Sequence, residues 1–191
     1  LSIRRQRQMC IRDRHSAGTS RPLAVSLDSR SHAVFGGEDH RYRYRLSRIW
    51  DAQAPPVLWV LMNPSIATDL VNDRTVARCE TFARGWGHGG ILIANTFAYR
   101  ATDQSRLLEV DDPVGPQNDE YILQMAAEAA LIVLAYGSPN HPSLLARGPE
   151  VEAMLHAAGY PLHVLAVTKA GRPKHPLYLA GTLCPIRRPG T

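Results

Sequence analysis

The sequence predicts an α/β fold, namely a three-layer α/β/α domain on a four-stranded parallel sheet, preceded by an N-terminal β-hairpin. Two observations lead to this prediction. Four short apolar runs with the composition of buried strands alternate with stretches of helical periodicity. Each run is also followed by a polar loop or a glycine, where a strand would stop. Right-handed crossovers place helices on both faces of such a sheet, and we expect the four strands in the order 2-1-3-4.

The composition suits one domain with a buried core, because 45% of the 191 residues are apolar. No run of eighteen apolar residues is present, so we expect a cytoplasmic protein that does not bind membranes. The three cysteines, Cys10, Cys79 and Cys184, form no CxxC pair and predict no disulfide framework. The histidines lack metal-ligand spacing and no P-loop occurs, so we expect neither a metal nor a cofactor.

The formal charge of +5 would suggest a polyanionic partner, but most of it comes from residues 1–14. This segment, LSIRRQRQMCIRDR, resembles a translated sequencing adapter; the alternative is a basic arm that binds nucleic acid. We expect residues 15–31 to be a disordered leader and residues 32–180 to form a single α/β domain. Residues 181–191 are expected to be a frayed tail.

The predicted hairpin has its first arm at residues 33–35 and its second at residues 41–46. The second arm alternates basic and aromatic residues, which would place Arg41, Arg43 and Arg45 together on one exposed face. That face is either a solvated surface or a ribbon that contacts phosphates.

The first core strand, Val57 to Met62, ends at Asn63-Pro64-Ser65 because proline cannot donate to a sheet ladder. A polar loop follows, and Asp73 can cap the next helix. The apolar positions of that helix recur at helical spacing and include Cys79, which we interpret as a buried structural thiol. The glycines of residues 85–90 close this helix as a C-cap, since a dinucleotide-binding motif would open one.

The rest of the domain repeats the pattern, with strands predicted at residues 90–94, 131–136 and 162–167. Four loops, 63–73, 95–103, 137–142 and 168–178, should then converge where the parallel strands end, which is the usual ligand site of open α/β sheets. Polar residues in these loops that are candidates for a site include Asn63, Asp69 and His175. The candidate substrate-binding residues are Pro64, Ser65, Asn95, Phe97, Tyr99, Arg100 and Gly137.

Four motifs in this order resemble the bacterial domain-of-unknown-function family 1643, over about residues 33–180. They are Met62-Asn63-Pro64-Ser65, the run NTFAYRAT at residues 95–102, Asp112-Pro113-Val114-Gly115, and His175-Pro176-Leu177-Tyr178.

The order of strand ends and motifs is also distantly similar to the uracil-DNA glycosylase superfamily. That resemblance implies that Asn63 holds the attacking water, that Asn95 reads the base, and that His175 stabilises the departing base. Three features depart from the superfamily: Ser65 replaces a glycine, no serine follows His175-Pro176, and no four cysteines are available for an iron–sulfur cluster.

We therefore expect an enzyme that recognises a nucleobase, nucleotide or DNA and hydrolyses an N-glycosidic bond. An aromatic side chain such as Phe97 or Tyr99 would stack on the base. An amide cannot accept a proton as a carboxylate does, so Asp69 or Asp73 is the candidate base. A second His-Pro pair, at His141, is a rival to His175. The alternatives are a non-catalytic module that binds a base or nucleotide in the same pocket, and an unrelated hydrolase or transferase on a similar sheet.

Overall fold

The structure is a computed structural model that describes residues 21–189. These residues form nine strands, three α-helices and four short 3₁₀ turns. In chain order the strands are β1 Leu23–Ala24, β2 Arg30–Gly36, β3 Tyr42–Ile49, β4 Pro56–Leu61, β5 Val71–Asn72, β6 Gly90–Asn95, β7 Leu131–Leu134, β8 Leu162–Val164 and β9 Ile186–Arg187. The helices are α1 Arg74–Gly85, α2 Asn118–Glu128 and α3 Arg147–Ala157.

The main sheet is mixed and has seven strands in the order β2-β3-β6-β4-β7-β8-β9. The neighbours β6, β4, β7 and β8 run parallel, whereas β2, β3 and β9 are antiparallel to their neighbours. The strands β6, β4, β7 and β8 lie in the expected order 2-1-3-4, but the sheet has more strands than the four expected. The hairpin joins it through β3, and the C-terminal strand β9 extends the other edge.

Helices cover both faces of this sheet, and β4 shows why. Its alternate residues Val57, Trp59 and Leu61 pack with Val76, Cys79 and Phe82 of α1. The residues between them, Leu58 and Val60, pack on the other face with side chains of α2 and α3. A strand that is buried on both faces has a continuous run of apolar residues, and such runs made these strands predictable from the sequence.

Helix α1 begins and ends as predicted. The Asp73 carboxylate accepts a hydrogen bond from the Val76 main-chain N–H at 2.8 Å, which caps the helix. After the helix, Gly87 has a φ of 81°, and the His88 N–H donates to the Ala83 carbonyl. Cys79 is fully buried, and burial raises the pKa of its thiol well above the usual value, so the prediction of a structural thiol is confirmed.

The hairpin is present, but the prediction of one exposed arginine face is wrong. Val34 pairs with Arg45 and Phe35 with Arg43, so Tyr44 is an extra residue and β3 carries a β-bulge. A bulge reverses the alternation of side chains between faces. Arg45 thus pairs with Glu128 of α2, whereas Arg43 is turned inwards and is only 3% exposed.

Two terminal expectations also change. Order begins before His32, because β1 pairs with β5, and Asp28 forms an ion pair with Arg84 of α1. The expected tail contains β9, which pairs with β8. The expectation for residues 1–14 lies outside the described residues. Across residues 21–189, no helix is long and apolar enough to cross a membrane.

Candidate functional site

A cleft of about 490 Å³ opens where β4 and β7 end. It is bounded by the loops that follow these two strands, by the first turn of α1, and by segments 101–104 and 175–178. Three of the four loops expected to converge lie along it, and residues 101 and 102 contribute from the fourth. The side chains that give it chemical character are Arg43, Asn63, Ser65, Asp73, Gln104, Tyr136, Ser138, Asn140, His175 and Tyr178.

Asn63 connects the loop after β4 to the neighbouring loop. Its amide nitrogen donates to the Ala101 carbonyl at 2.7 Å and to the Pro64 carbonyl at 3.2 Å. The Pro64 carbonyl in turn accepts from the Ala101 N–H at 2.9 Å. The amide nitrogen is thus occupied with main-chain partners, and the side-chain oxygen is the atom that Asn63 can offer to a ligand in the cleft.

Asp73 supplies the carboxylate of the cleft. It lies at the start of α1, is 7% exposed, and uses Oδ1 to cap the helix. Asp69 is exposed and does not line the cleft, and its carbonyl accepts a hydrogen bond from the Ser31 hydroxyl. Of the two carboxylates considered as a base, the structure brings only Asp73 to the other polar groups.

His175 is held as a neutral hydrogen-bond donor. Its Nδ1 accepts from the Leu177 main-chain N–H at 3.4 Å, which places the ring proton on Nε2. Burial lowers the pKa of His175, and the negative charge of Asp73 opposes this effect. The imidazole is therefore uncharged at neutral pH, with Nε2–H available to a ligand. The rival His141 is exposed, bonds to Ser143 and does not line the cleft.

Arg43 is a buried cation in the cleft wall. Its guanidinium donates to the Ala67 carbonyl at 2.8 Å and to Asn95 Oδ1 at 3.2 Å. Burial lowers the pKa of Arg43 to about 10, so it stays charged at neutral pH. Among the described residues, neither Arg43 Nε nor Asn95 Nδ2 has a hydrogen-bond partner. Buried donors without partners are costly to a fold and need an explanation.

Some predicted binding residues lie outside the cleft. Phe97 is buried in an apolar cluster with Leu107 and Leu144. Tyr99 and Arg100 line a neighbouring cavity. Asn95 is 2% exposed and meets the cleft only through Arg43, and Pro64 is buried beneath Asn63.

Gly137 and Ser65 do line the cleft. Gly137 has a φ of 71°, a left-handed conformation that glycine tolerates and other residues rarely adopt.

The sequence analysis missed several residues of the cleft. Tyr136, at the end of the β7 run, donates its hydroxyl to Glu152 at 2.9 Å, and burial raises its pKa. Gln104 accepts from the Asn140 N–H at 2.9 Å and so joins two loops. Tyr136 could have been found as the last residue before the strand-ending glycine, but Gln104 and Asn140 carry no such signal. No cluster of three metal-binding side chains occurs within the described residues.

Comparison with known proteins gives a family and no activity. The family model described as "Protein of unknown function (DUF1643)" matches residues 43–177, which is more than half of the chain. No match was found among curated proteins or among solved structures.

Proposed function

Because the chain belongs to the DUF1643 family, whose description names no activity, we propose a function from the cleft: it binds a nucleobase or nucleotide and hydrolyses the N-glycosidic bond. One observation carries the proposal. A neutral histidine with a free Nε2–H and a carboxylate share one cleft at the ends of parallel strands. Both groups are suited to the cleavage of an N-glycosidic bond, for the reasons given next.

Breaking this bond leaves negative charge on the departing base and positive charge on the sugar. His175 Nε2–H donates a hydrogen bond to the base oxygen on which the negative charge develops. Asp73 stabilises the sugar cation and accepts a proton from the attacking water, whose oxygen bonds to the sugar carbon as the carbon–nitrogen bond breaks. The departing base takes up a proton from solvent. Asn63 Oδ1 accepts a hydrogen bond from the same water and fixes its position.

Recognition of the base uses the remaining walls of the cleft. The amides of Gln104 and Asn140 offer both donors and acceptors, which suits the hydrogen-bonding edge of a base. The rings of Tyr136 and Tyr178 supply aromatic surface in place of Phe97 and Tyr99. The Arg43 guanidinium supplies a positive charge in the cleft wall that suits a carbonyl oxygen of the base, and Asn95 holds the guanidinium in place.

A second candidate function is a binding module without catalysis. It is favoured by the helix cap of Asp73, because one carboxylate oxygen already accepts the Val76 N–H at 2.8 Å and is less free to take a proton. The same cleft would then bind a base or nucleotide without cleaving any bond in it.

The test uses the full chain and oligonucleotides or nucleosides that carry uracil, hypoxanthine or the normal bases. Release of free base and formation of alkali-labile abasic sites are measured. We expect Asp73→Asn to reduce the rate by about 10² to 10⁴, the range of general acid–base catalysis. We expect His175→Gln to reduce it by about 10² or more.

The chain offers a matched control for each variant. Asp69→Asn and His141→Gln change the same residue types outside the cleft and should retain full activity. Saturable binding of a base or nucleotide without release from any substrate would establish the binding module instead. Equal losses in the cleft variants and the controls would refute the assignment of Asp73 and His175.

A further inference from the structure

A second cavity, of about 430 Å³, adjoins the cleft. The two share Ser65, Ala101 and Thr102 in their walls, so a ligand could extend from one into the other. Its lining differs in charge from that of the cleft. It contains three arginines, Arg41, Arg100 and Arg106, and one carboxylate, Asp39.

Arg100 lines this cavity and is fixed by contacts of its main chain and its side chain. Its main-chain N–H donates to the Arg41 carbonyl at 2.9 Å, and its Nη1 donates to the His40 carbonyl at 3.2 Å. The guanidinium carbon lies 5.0 Å from the centre of the Phe35 ring. Arg100 Nε is buried and has no hydrogen-bond partner among residues 21–189. A planar cation with an unused donor is suited to an anionic oxygen.

The other two arginines are paired only at the surface. Arg41 contacts Glu38 at 3.2 Å, and Arg106 contacts Glu109 at 3.5 Å. The Glu38 side chain is 88% exposed, and exposed ion pairs contribute little free energy. An anion in the cavity could therefore recruit both guanidinium groups at small cost.

The backbone is strained at two residues that line this cavity, Asp39 and His40. Asp39 and His40 have φ values of 52° and 54°, in the left-handed region that residues other than glycine rarely occupy. Such conformations cluster at ligand-binding segments.

We propose that this cavity binds the phosphate group of the nucleotide whose base occupies the cleft. The preferred substrate is then a phosphorylated nucleotide or a nucleic-acid strand, and a free nucleoside binds more weakly. This assignment of the phosphate to a nucleotide rests on the proposed function. The affinity of the cavity for phosphate does not, because it depends on the three arginines alone.

The first experiment titrates inorganic phosphate into the full chain at constant ionic strength, with chloride as the reference anion. Binding is followed through the Nε–H signals of the arginines by NMR. We expect the double variant Arg41→Gln/Arg106→Gln to bind phosphate about tenfold more weakly or worse, since each charged hydrogen bond contributes substantially.

The matched control is Arg30→Gln/Arg187→Gln, which removes the same net charge from exposed positions outside both cavities. Its affinity for phosphate should stay within about twofold of the unmodified chain. Equal weakening in the two double variants, or no binding of phosphate by the unmodified chain, would overturn the proposal.

Two further ligands identify the source of the phosphate. Uridine monophosphate should bind more tightly than uridine, and the difference should vanish in Arg41→Gln/Arg106→Gln. A single-stranded oligonucleotide that binds more tightly still, with a steep salt dependence, would assign the phosphate to a strand. Phosphate binding without cleavage of any N-glycosidic bond would sustain the phosphate subsite and refute the proposed hydrolysis.

Discussion

Two buried arginines on one strand show how the two ends of this sheet differ. Arg48, near the amino ends of the parallel strands, is fully buried and uses Nε, Nη1 and Nη2 as donors. Its partners are Asn72 Oδ1 at 2.9 Å, the Ser31 hydroxyl at 2.7 Å and the Thr68 carbonyl at 2.6 Å. Arg43, near the carboxyl ends, makes two hydrogen bonds and leaves Nε without a partner.

The two arginines lie on the same eight-residue strand, β3, but their hydrogen bonding indicates different roles, structural for Arg48 and functional for Arg43. Burying a charge is tolerable when the surrounding groups satisfy it, as they do at Arg48. At Arg43 the surrounding groups satisfy the guanidinium only in part, because its buried Nε has no partner among the described residues, and Arg43 lines the cleft. An incompletely satisfied buried cation needs an explanation, and a ligand in the cleft is the explanation that we propose for Arg43. The predictions below test this contrast, from the largest expected effect to the smallest.

Arg48→Met should be the most damaging substitution. It removes five hydrogen bonds and leaves the buried Asn72 Oδ1 and the part-buried Thr68 carbonyl without these donors, which should reduce the free energy of unfolding by about 3–5 kcal/mol. Urea denaturation of the variant and the unmodified chain measures this. A loss below about 1 kcal/mol would show that water replaces the guanidinium. It would contradict the assignment of Arg48 as a structural residue in contrast to Arg43.

Arg43→Met should reduce ligand binding strongly and stability less than Arg48→Met does. It removes two hydrogen bonds and leaves the Ala67 carbonyl and Asn95 Oδ1 without these donors, whereas Arg48→Met removes five, so we expect a smaller stability loss of about 2 kcal/mol. Binding of uridine monophosphate, measured by calorimetry, should weaken about tenfold or more, because the ligand loses a charged donor. If the variant is as unstable as Arg48→Met, Arg43 is a structural residue.

Tyr136→Phe tests the back wall of the cleft. The hydroxyl donates to Glu152, which also pairs with Arg188, so the carboxylate keeps one partner when the hydroxyl is removed. We expect a stability loss of about 1 kcal/mol by urea denaturation. The control is Tyr178→Phe, whose hydroxyl is exposed and whose loss should leave the midpoint unchanged. A loss of more than about 3 kcal/mol would mean that Glu152 depends on Tyr136.

The smallest expected effect concerns pH. Because burial lowers the pKa of His175 below 6.5, the unfolded chain binds a proton in this pH range before the folded chain does. Stability should therefore fall as the pH drops from 6.5 towards the lowered folded value, and His175 should contribute no pH dependence above that window. His175→Gln should flatten the loss of Tm between pH 7 and 5.5, measured by thermal denaturation.

The exposed His141→Gln is the control for this measurement. Its Tm should follow the pH curve of the unmodified chain. If His175→Gln gives that same curve, burial does not control the protonation of His175.

The candidate site was predictable only where a residue's role follows from its neighbours in sequence. The Asn63-Pro64 pair ends a strand wherever the strand lies, and His175-Pro176 begins a short turn whose N–H bonds back to the ring. Phe97 could not be placed, because the same aromatic residue suits a stacking surface and an apolar core. Its position beside Leu107 and Leu144 depends on segments that are distant in sequence.

The amino-acid sequence by itself determined the strands β4, β6, β7 and β8, the cap of α1 at Asp73 and the buried thiol of Cys79. These features follow from local patterns, since apolar runs, caps and helical spacing involve residues close together in the chain. Only the tertiary structure decided which polar groups meet. A single extra residue at Tyr44 reverses the face of Arg43, and pairing between distant strands sets such a bulge. The pairing brings Arg43 to Asn95, and the loop geometry places His175 and Asp73 in the same cleft. Neither arrangement can be predicted from residues that are close together in the sequence.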